Sequence, residues 1–502
     1  MTRLLGIETE YGLYVADVDP AKLAEQTTAV IDALTLPHVA AWDYGAEDPR
    51  ADMRGFRVDK LAQDPKDVEY QKRCPTPPGP RDDRVLGNGA RLYNDHGHPE
   101  YATPECSTLR ELVAHDKAGE RVLLACVKAR ALQLGKEIAL YKNNVDYHGM
   151  SYGCHENYLV RREVPFDRLR EGLLPFLATR IVFAGAGKVG CDGPKRDPAV
   201  TFQLSQRADF FTAEASVDTL ANRPLLNTRD EPHADPARFR RLHIICGDAN
   251  LSEFATALKV GTTALVLELI ERGWRPAVAL ADPVAAARSI SRDSAWRWEV
   301  ELAGGGVSSA VEVQRAYWEA CRAELRGLSA DADWTLEHWG AVLDTLAGDP
   351  LALGDRLDWP AKFLLLREYL EAEGLTWADP ALQSLDLEYH NVDPARGLYY
   401  ALEQAGEMLR VVGEEEIARA MREPPATTRA LVRGMVVARL APLVRSICWS
   451  KIRLCRGEHD HWVLDLRKMT DGLPREARER LSEALSVEEI AAALGEARRE
   501  RE

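Results

Sequence analysis

Asn88-Gly89-Ala90-Arg91-Leu92-Tyr93-Asn94-Asp95-His96-Gly97-His98-Pro99-Glu100-Tyr101 reads as a strand running into a tight turn. Side chains alternate along a strand, so Arg91, Tyr93 and Asp95 share one face. A guanidinium, a phenol and a carboxylate side by side make a polar wall that an apolar core would not tolerate. Glu100 and Glu105 add carboxylates nearby.

The N-terminal Leu5-Gly6-Ile7-Glu8-Thr9-Glu10-Tyr11 repeats the pattern. Its odd positions form one face, and Glu8 and Glu10 share the other. Two such carboxylates repel each other unless a cation lies between them, and Mg²⁺ suits oxygen ligands of this kind. The pair fits a solvent-facing edge strand equally well. Further polar segments are Tyr152-Gly153-Cys154-His155-Glu156-Asn157-Tyr158, Ser205-Gln206-Arg207, Asn227 to His233 with Arg229, and Arg240-Arg241-Leu242-His243. Arginine forks pair bidentately with phosphate oxygens. Together these segments suggest a sheet whose polar face holds Mg²⁺ and nucleotide phosphates.

Strands are expected at 3–13, 84–94, 137–143, 156–161, 181–185, 199–206 and 241–247. Helices are expected at 21–35, at 108–135 with Ser107 as N-cap, and at 250–272 capped by Asn250. Further helices are expected at 309–327, 334–347, 359–372 and 397–409. A Pro- and charge-rich stretch at about 38–83 reads as a functional lid or a disordered loop. After Pro424-Pro425 comes a small mixed module ending in two charged helices separated near Ser486. Strands first and helices after imply an α+β protein. The expected division is a catalytic domain at 1–424 and a small C-terminal domain at 425–502.

Two motifs read as decoys. Gly185-Ala186-Gly187-Lys188-Val189-Gly190 matches G-x-G-x-x-G, but Gly193-Pro194 follows where a dinucleotide site needs a helix. His459-Asp460-His461 has no third ligand at a defined spacing and reads as a solvated turn.

The 502 residues carry 64 Lys plus Arg against 79 Asp plus Glu, a net charge of −15, which argues against a general nucleic-acid binder. With 46% hydrophobic residues the chain has enough apolar material for a large core. No signal peptide or membrane-spanning run is expected. The nine cysteines are scattered without a Cys-x-x-Cys, which points to a reduced cytoplasm.

At these residues the sequence resembles the Pup ligase and depupylase family, PafA and Dop, relatives of the glutamine synthetase carboxylate-amine ligases. The blocks that carry it are Gly6 to Gly12, Asn88 to Glu105, Leu140 to Asn144, Ser151 to Leu159, Asn227 to Asp235, Arg240 to Asn250, Leu357 to Pro360 and Thr428 to Gly434. About 50 residues before the NGARLY block look like the insertion of the depupylase branch. Asp95-His96-Gly97-His98-Pro99, one residue shorter than the ligase pattern, points the same way. Ile7-Glu8-Thr9-Glu10 is closer to the ligases.

The resemblance implies a glutamine synthetase-like large domain, with a curved, mostly antiparallel sheet cradle packed against helices. Glu8, Tyr93 and Glu100 match the family's Mg²⁺ positions, and Glu10, His155 and His243 are further metal or phosphate neighbours. Arg91, Thr103 and Trp449 match nucleotide-binding positions. Arg207, Arg229 and Arg241 are candidates for phosphate or for the Pup terminal carboxylate. Asp95 matches the catalytic aspartate, as nucleophile or as activator of water. The implied activity is depupylation and Pup deamidation with Mg²⁺ and ATP, or ADP plus phosphate; the alternative is a Pup ligase. The implied partners are Pup and pupylated proteins. Because Pup is itself acidic, its binding calls for a local basic stripe; Arg238, Arg240, Arg241, Arg429, Arg433, Arg445, Lys451, Arg453 and Arg456 are the candidates.

Overall fold

The computed structural model describes residues 3–19, 22–62, 82–147, 149–192, 197–457, 460–470, 472–495 and 497–501. Its centre is a seven-stranded sheet, every neighbouring pair antiparallel. The strands are β1 (Leu5–Glu10), β2 (His38–Val39), β3 (Arg84–Leu86), β4 (Arg91–Asp95), β5 (His98–Ala102), β6 (Cys154–Arg161) and β7 (Phe239–Ile244). Their order across the sheet is β7-β6-β1-β5-β4-β3-β2.

One face of the sheet is apolar. Leu5, Ile7, Cys154, Tyr158, Leu242 and Ile244 are buried with Leu109 and Leu112 of α2 (Leu109–Leu134) and Phe254 and Leu258 of α4 (Glu253–Glu271). Leu92 and Tyr101 join Val122 and Leu123 of α2 and Val30 and Ile31 of α1 (Leu23–Asp32). Helices α3 (Phe166–Thr179), α5 (Ala310–Leu325) and α6 (Ala330–Leu346) pack around α4 and complete the layer. With its opposite face free of this layer, the sheet forms the floor of a cradle.

A third apolar cluster joins α7 (Ala430–Leu440) to a four-stranded antiparallel sheet of β8 (Val444–Ile447), β9 (Lys451–Gly457), β10 (Asp460–Asp465) and β11 (Ala497–Arg501). It includes Val39 and Val85 from the edge of the central sheet. The C-terminal segment therefore leans against the cradle's rim.

The α+β expectation holds, and several boundaries move. The strand expected at 84–94 is a hairpin, with Gly89 at φ 80° making the turn between β3 and β4. Ile181–Ala184 is helical rather than extended. A four-residue apolar run has no periodicity to separate strand from helix. Thr108 caps α2, its hydroxyl accepting from Glu111 N–H, while Glu111 returns a bond to Ser107. Ser252 caps α4, because Asn250 is engaged with the Ala184 carbonyl and Asp358. Glycine-rich 185–190 contains a two-residue strand, and Lys188 is buried against Asp192, 3.1 Å away. Of the 38–83 stretch, residues 63–81 lie outside the described residues, as does His459.

Candidate active site

Strand register builds the site. Glu8 lies opposite His155 on one side and Ala102 on the other, and Ala102 lies opposite Arg91. Glu10 lies opposite Glu100, which lies opposite Tyr93. Asn157 lies opposite His243. Antiparallel pairing with period 2 therefore lands all of these on the face away from the helices.

Two groups of ligand atoms converge there, each within 4.8 Å: Glu8 with His155 and His243, and Glu10 with Asp95 and Glu100. Glu8 Oε2 is 3.5 Å from both His155 Nδ1 and His243 Nε2, and Glu8 Oε1 is 3.4 Å from Arg241 Nη1. Glu10 Oε1 accepts from Gly153 N–H at 2.9 Å and lies 3.9 Å from His155 Nε2. A β-carbon at 153 would sit 2.1 Å from His155 Nε2 and 2.7 Å from Glu10 Oε1, so a larger residue there would have to displace both side chains.

Charge is out of balance in this cluster. Burial pushes the Glu100 carboxyl well up, and the carboxylates of Asp95, Glu10 and Glu8 push it further. Burial also raises the Tyr93 phenol, aided by Glu100 and Glu8. Burial raises Glu8 too, but hydrogen bonds to His155 and His243 and the charge of Arg241 outweigh it and hold Glu8 well below the usual range. Burial and Arg241 push His243 down to about 3, leaving its ring neutral. A neutral imidazole beside crowded carboxylates is a ligand set suited to a divalent cation.

Asp95 stands at the tip of the β4–β5 hairpin, one-third exposed, with His96 Nδ1 3.0 Å from its Oδ1. Burial raises its carboxyl, but His96, His155 and Arg91 together hold it below its ordinary value.

Arg91 lies between the rings of Trp42 and Tyr93, 4.0 and 3.9 Å away, and is ion-paired to Asp83 at 2.5 Å. Trp42, Tyr44, Glu47 and Asp83, all from the 38–83 stretch, thus close over it. Thr103 Oγ1 accepts from Ile7 N–H at 3.0 Å. Thr103, Glu8, Asn157, His233, Arg241, Arg429 and Trp449 line a cleft with about 550 Å³ of empty space, open solvent included. Arg241 is aimed by Asn157 Oδ1 at 2.7 Å and Glu231 Oε2 at 3.2 Å. Arg229 flanks the cluster, 3.9 Å from Glu231. Arg207 lies outside the cleft's lining, donating to Ser151 Oγ at 3.1 Å and to the carbonyls of Tyr152 and Ile245. Burial and Arg223 bring its guanidinium down to about 10.

The structure corrects the proposed basic stripe. Arg429 and Arg433 are buried and ion-paired to Glu105, and Arg433 stacks 4.7 Å from the Trp449 ring. Arg240 is buried and donates to the Arg162 carbonyl. Arg238, Arg445 and Arg453 stay exposed. Guanidiniums taken out of water require a partner, and Glu105 supplies it for the first two. Their i, i+4 spacing was the available signal that both serve one carboxylate. Asn157, Glu231 and His233 also line or aim the cleft without having been singled out as site residues.

Residues 3–453 match a family model described as Pup-ligase protein. The chain belongs to the Pup-ligase family. The depupylase of Acidothermus cellulolyticus is 43% identical over 465 residues, covering 90% of this chain and 91% of that protein. A Pup–protein ligase of Actinosynnema mirum is 46% identical over 363 residues, covering 70% of this chain and 79% of the ligase. Identity is similar for the two, while the depupylase sequence match covers more of this chain, 90% against 70%. The crystal structure of the ligase PafA in complex with Pup superposes with a TM-score of 0.77 at 31% identity, covering 98% of this chain and 95% of that one. PafA in complex with ADP gives 0.73 at 33%, covering 86% and 96%. The fold of this family member is thus the α+β architecture of PafA, consistent with the glutamine synthetase-like cradle.

Proposed function

We propose that this chain is a depupylase and Pup deamidase. It hydrolyses the isopeptide bond between the Pup C-terminal γ-carboxyl and a substrate lysine, and converts a C-terminal Gln of Pup to Glu. The observation that carries this reading is the alignment with a depupylase along 90% of the chain, where the ligase alignment covers 70%. Both reactions attack a γ-amide carbonyl, so one site serves both.

The crowded carboxylates and neutral His243 fit Mg²⁺, which Glu8, Tyr93 and Glu100 would hold, with Glu10, His155 and His243 beside them. Thr103, Trp449 and Arg91 would hold ATP, or ADP with phosphate; the PafA–ADP complex supports a nucleotide in this fold. Bound Mg²⁺ and phosphate would supply positive charge and ordered oxygens beside the scissile carbonyl. Asp95 supplies the carboxylate that attacks the carbonyl or takes a proton from water. Arg241, fixed by Asn157 and Glu231, presents its guanidinium to negative charge developing near Glu8. Arg229 serves phosphate or the Pup terminal carboxylate from the flank, while the bonds of Arg207 suit a supporting role behind Glu10.

We divide the chain into a catalytic domain at 1–424 and a small domain at 425–502, supported by an apolar cluster drawn mainly from Val432 to Ile490, which Val39 and Val85 of the central sheet join. The eight described cysteines are free thiols, which supports a reducing cytoplasm. Among the described residues no helix is long and apolar enough to cross a membrane.

The test is incubation with Mg²⁺, ATP and a pupylated protein, and separately with Pup ending in Glu and an unmodified target. Loss of conjugate in the first tube supports the proposal, and new conjugate in the second shows a ligase. Asp95→Asn is expected to abolish cleavage while leaving nucleotide affinity within about threefold, since a lost attacking group costs rate rather than ground-state binding. Normal turnover by that variant would remove Asp95 from the chemistry.

A further inference from the structure

A column of stacked side chains joins the central sheet to the C-terminal segment. Arg91 lies between the rings of Tyr93 and Trp42, 3.9 and 4.0 Å from their centroids. Trp42 in turn meets Trp449 edge to face, with ring centroids 5.2 Å apart and planes at 75°. Arg433 stands 4.7 Å from the Trp449 ring and is anchored by Glu105. Cations and rings thus follow one another, the arrangement that cationic charge and aromatic quadrupoles favour. The backbone holds Trp42 in place. Asp43 N–H donates to the Ile447 carbonyl and Ile447 N–H to the Ala41 carbonyl, both at 2.9 Å, which fastens residues 41–43 beside the end of β8 as a parallel bridge. The Trp42 indole N–H donates to Glu47 Oε1 at 2.7 Å. Arg91 Nε donates to Asp83 at 2.7 Å and Nη2 to the Tyr44 hydroxyl at 3.2 Å, while Nη1 stands 3.8 Å from Glu47. Trp449 is half-buried and lines the cleft; Trp42, also half-buried, lies outside the cleft's lining.

We propose that Trp42 is a positioning residue for the nucleotide. It sets the Trp449 ring for the base and the Arg91 guanidinium for the phosphates. This rests on the reading of the cleft as a nucleotide site. The two contacts come from distant parts of the chain, Arg91 from the central sheet and Trp449 from the C-terminal segment. A base stacks tightly only on a ring already held in one orientation, because each loose side chain must be ordered on binding. Arg433 and Trp42 together hold the Trp449 ring. A guanidinium caught between two rings cannot swing, so its N–H edge keeps one direction. Trp42 is the side chain that touches both Arg91 and Trp449, and it thereby fixes the spacing between the base contact and the phosphate contact.

Calorimetric titration of the full chain with ADP and Mg²⁺ tests this. Trp42→Ala is expected to raise the Kd for ADP about tenfold, through loss of one cation–π and one ring–ring contact. Trp42→Phe keeps a ring between Arg91 and Trp449 and is expected to stay within about threefold of wild type. Trp42→Leu fills the space without an aromatic face, so it reads the same tenfold loss should the alanine variant fail to fold. A second arm repeats the substitution in a Trp449→Ala background. If Trp42 acts through Trp449, its removal there weakens binding only about threefold, the share carried by Arg91. If Trp42 only fastens the C-terminal segment, the loss is the same in both backgrounds. Equal losses in the two backgrounds, or wild-type affinity in the alanine or leucine variant, would overturn the assignment. A wild-type chain that binds no ADP would instead remove the nucleotide site itself, and this inference with it.

Discussion

Glu105→Gln probes the link between the C-terminal segment and the cradle. The Glu105 side chain is 14% exposed and faces Arg429 Nε at 2.7 Å, with Arg433, fully buried, on its other oxygen. Arg433 Nη1 also donates to the Trp449 carbonyl at 3.3 Å. Burial alone would raise the Glu105 carboxyl, but the charges of Arg433 and Arg429 win and bring it from 4.5 down to about 2. That depression corresponds to about 3 kcal/mol of folding stability, and leaving a buried arginine without its partner costs about the same. With an unfolding entropy of about 2 cal/mol/K per residue, 502 residues give about 1 kcal/mol/K, so Tm falls by about 3 °C if the chain unfolds as one unit. The sign with pH follows from a depressed folded pKa. The contribution is fully present above about pH 4.5 and is lost as pH falls toward about 2, so the gap between wild type and variant narrows in acid. Because Arg433 backs the Trp449 ring, nucleotide titration should also show weaker binding. Scanning calorimetry at pH 7 and at pH 4 reads the first two effects. A Tm within about 1 °C of wild type, unchanged between those pH values, would refute the argument.

The metal-facing cluster makes opposite demands on folding and on function. Glu100→Gln removes one of the carboxylates whose mutual repulsion raises Glu100, so Tm without Mg²⁺ should rise while stabilisation by Mg²⁺ shrinks; a lower metal-free Tm would contradict this. Gly153→Ala puts a β-carbon into the space of His155 and Glu10, so activity should fall at least about tenfold through displaced side chains. Cleavage at the wild-type rate by a folded variant would show that those two groups do not need their observed positions.

The polar face was legible because period 2 is local: Glu8 with Glu10, and Arg91 with Tyr93 and Asp95, sort onto one side without knowledge of any partner strand. The encounters between strands were not, because Glu8 meets His155, and Glu10 meets Glu100, only through a register that long-range packing sets. The same division explains the errors. Arg429 and Arg433 read as surface charge until their partner, Glu105, is brought across more than 300 residues. Ile181–Ala184 reads as a strand until it is seen to follow directly on α3. Net charge shows the consequence most plainly. A total of −15 implied a basic stripe for an acidic partner, yet several of the nominated arginines are consumed inside the fold by Glu105, by Glu231 and by backbone carbonyls. Of the nominated cations, Arg238, Arg445 and Arg453 are exposed, and Arg241, though paired with Glu231, still faces the cleft. Since Arg241 is also held 3.4 Å from Glu8, its field at the cleft mouth grows once a divalent cation neutralises that carboxylate. A divalent cation held at Glu8 would thereby favour capture of an acidic substrate at Arg241, the two coupled through this one ion pair.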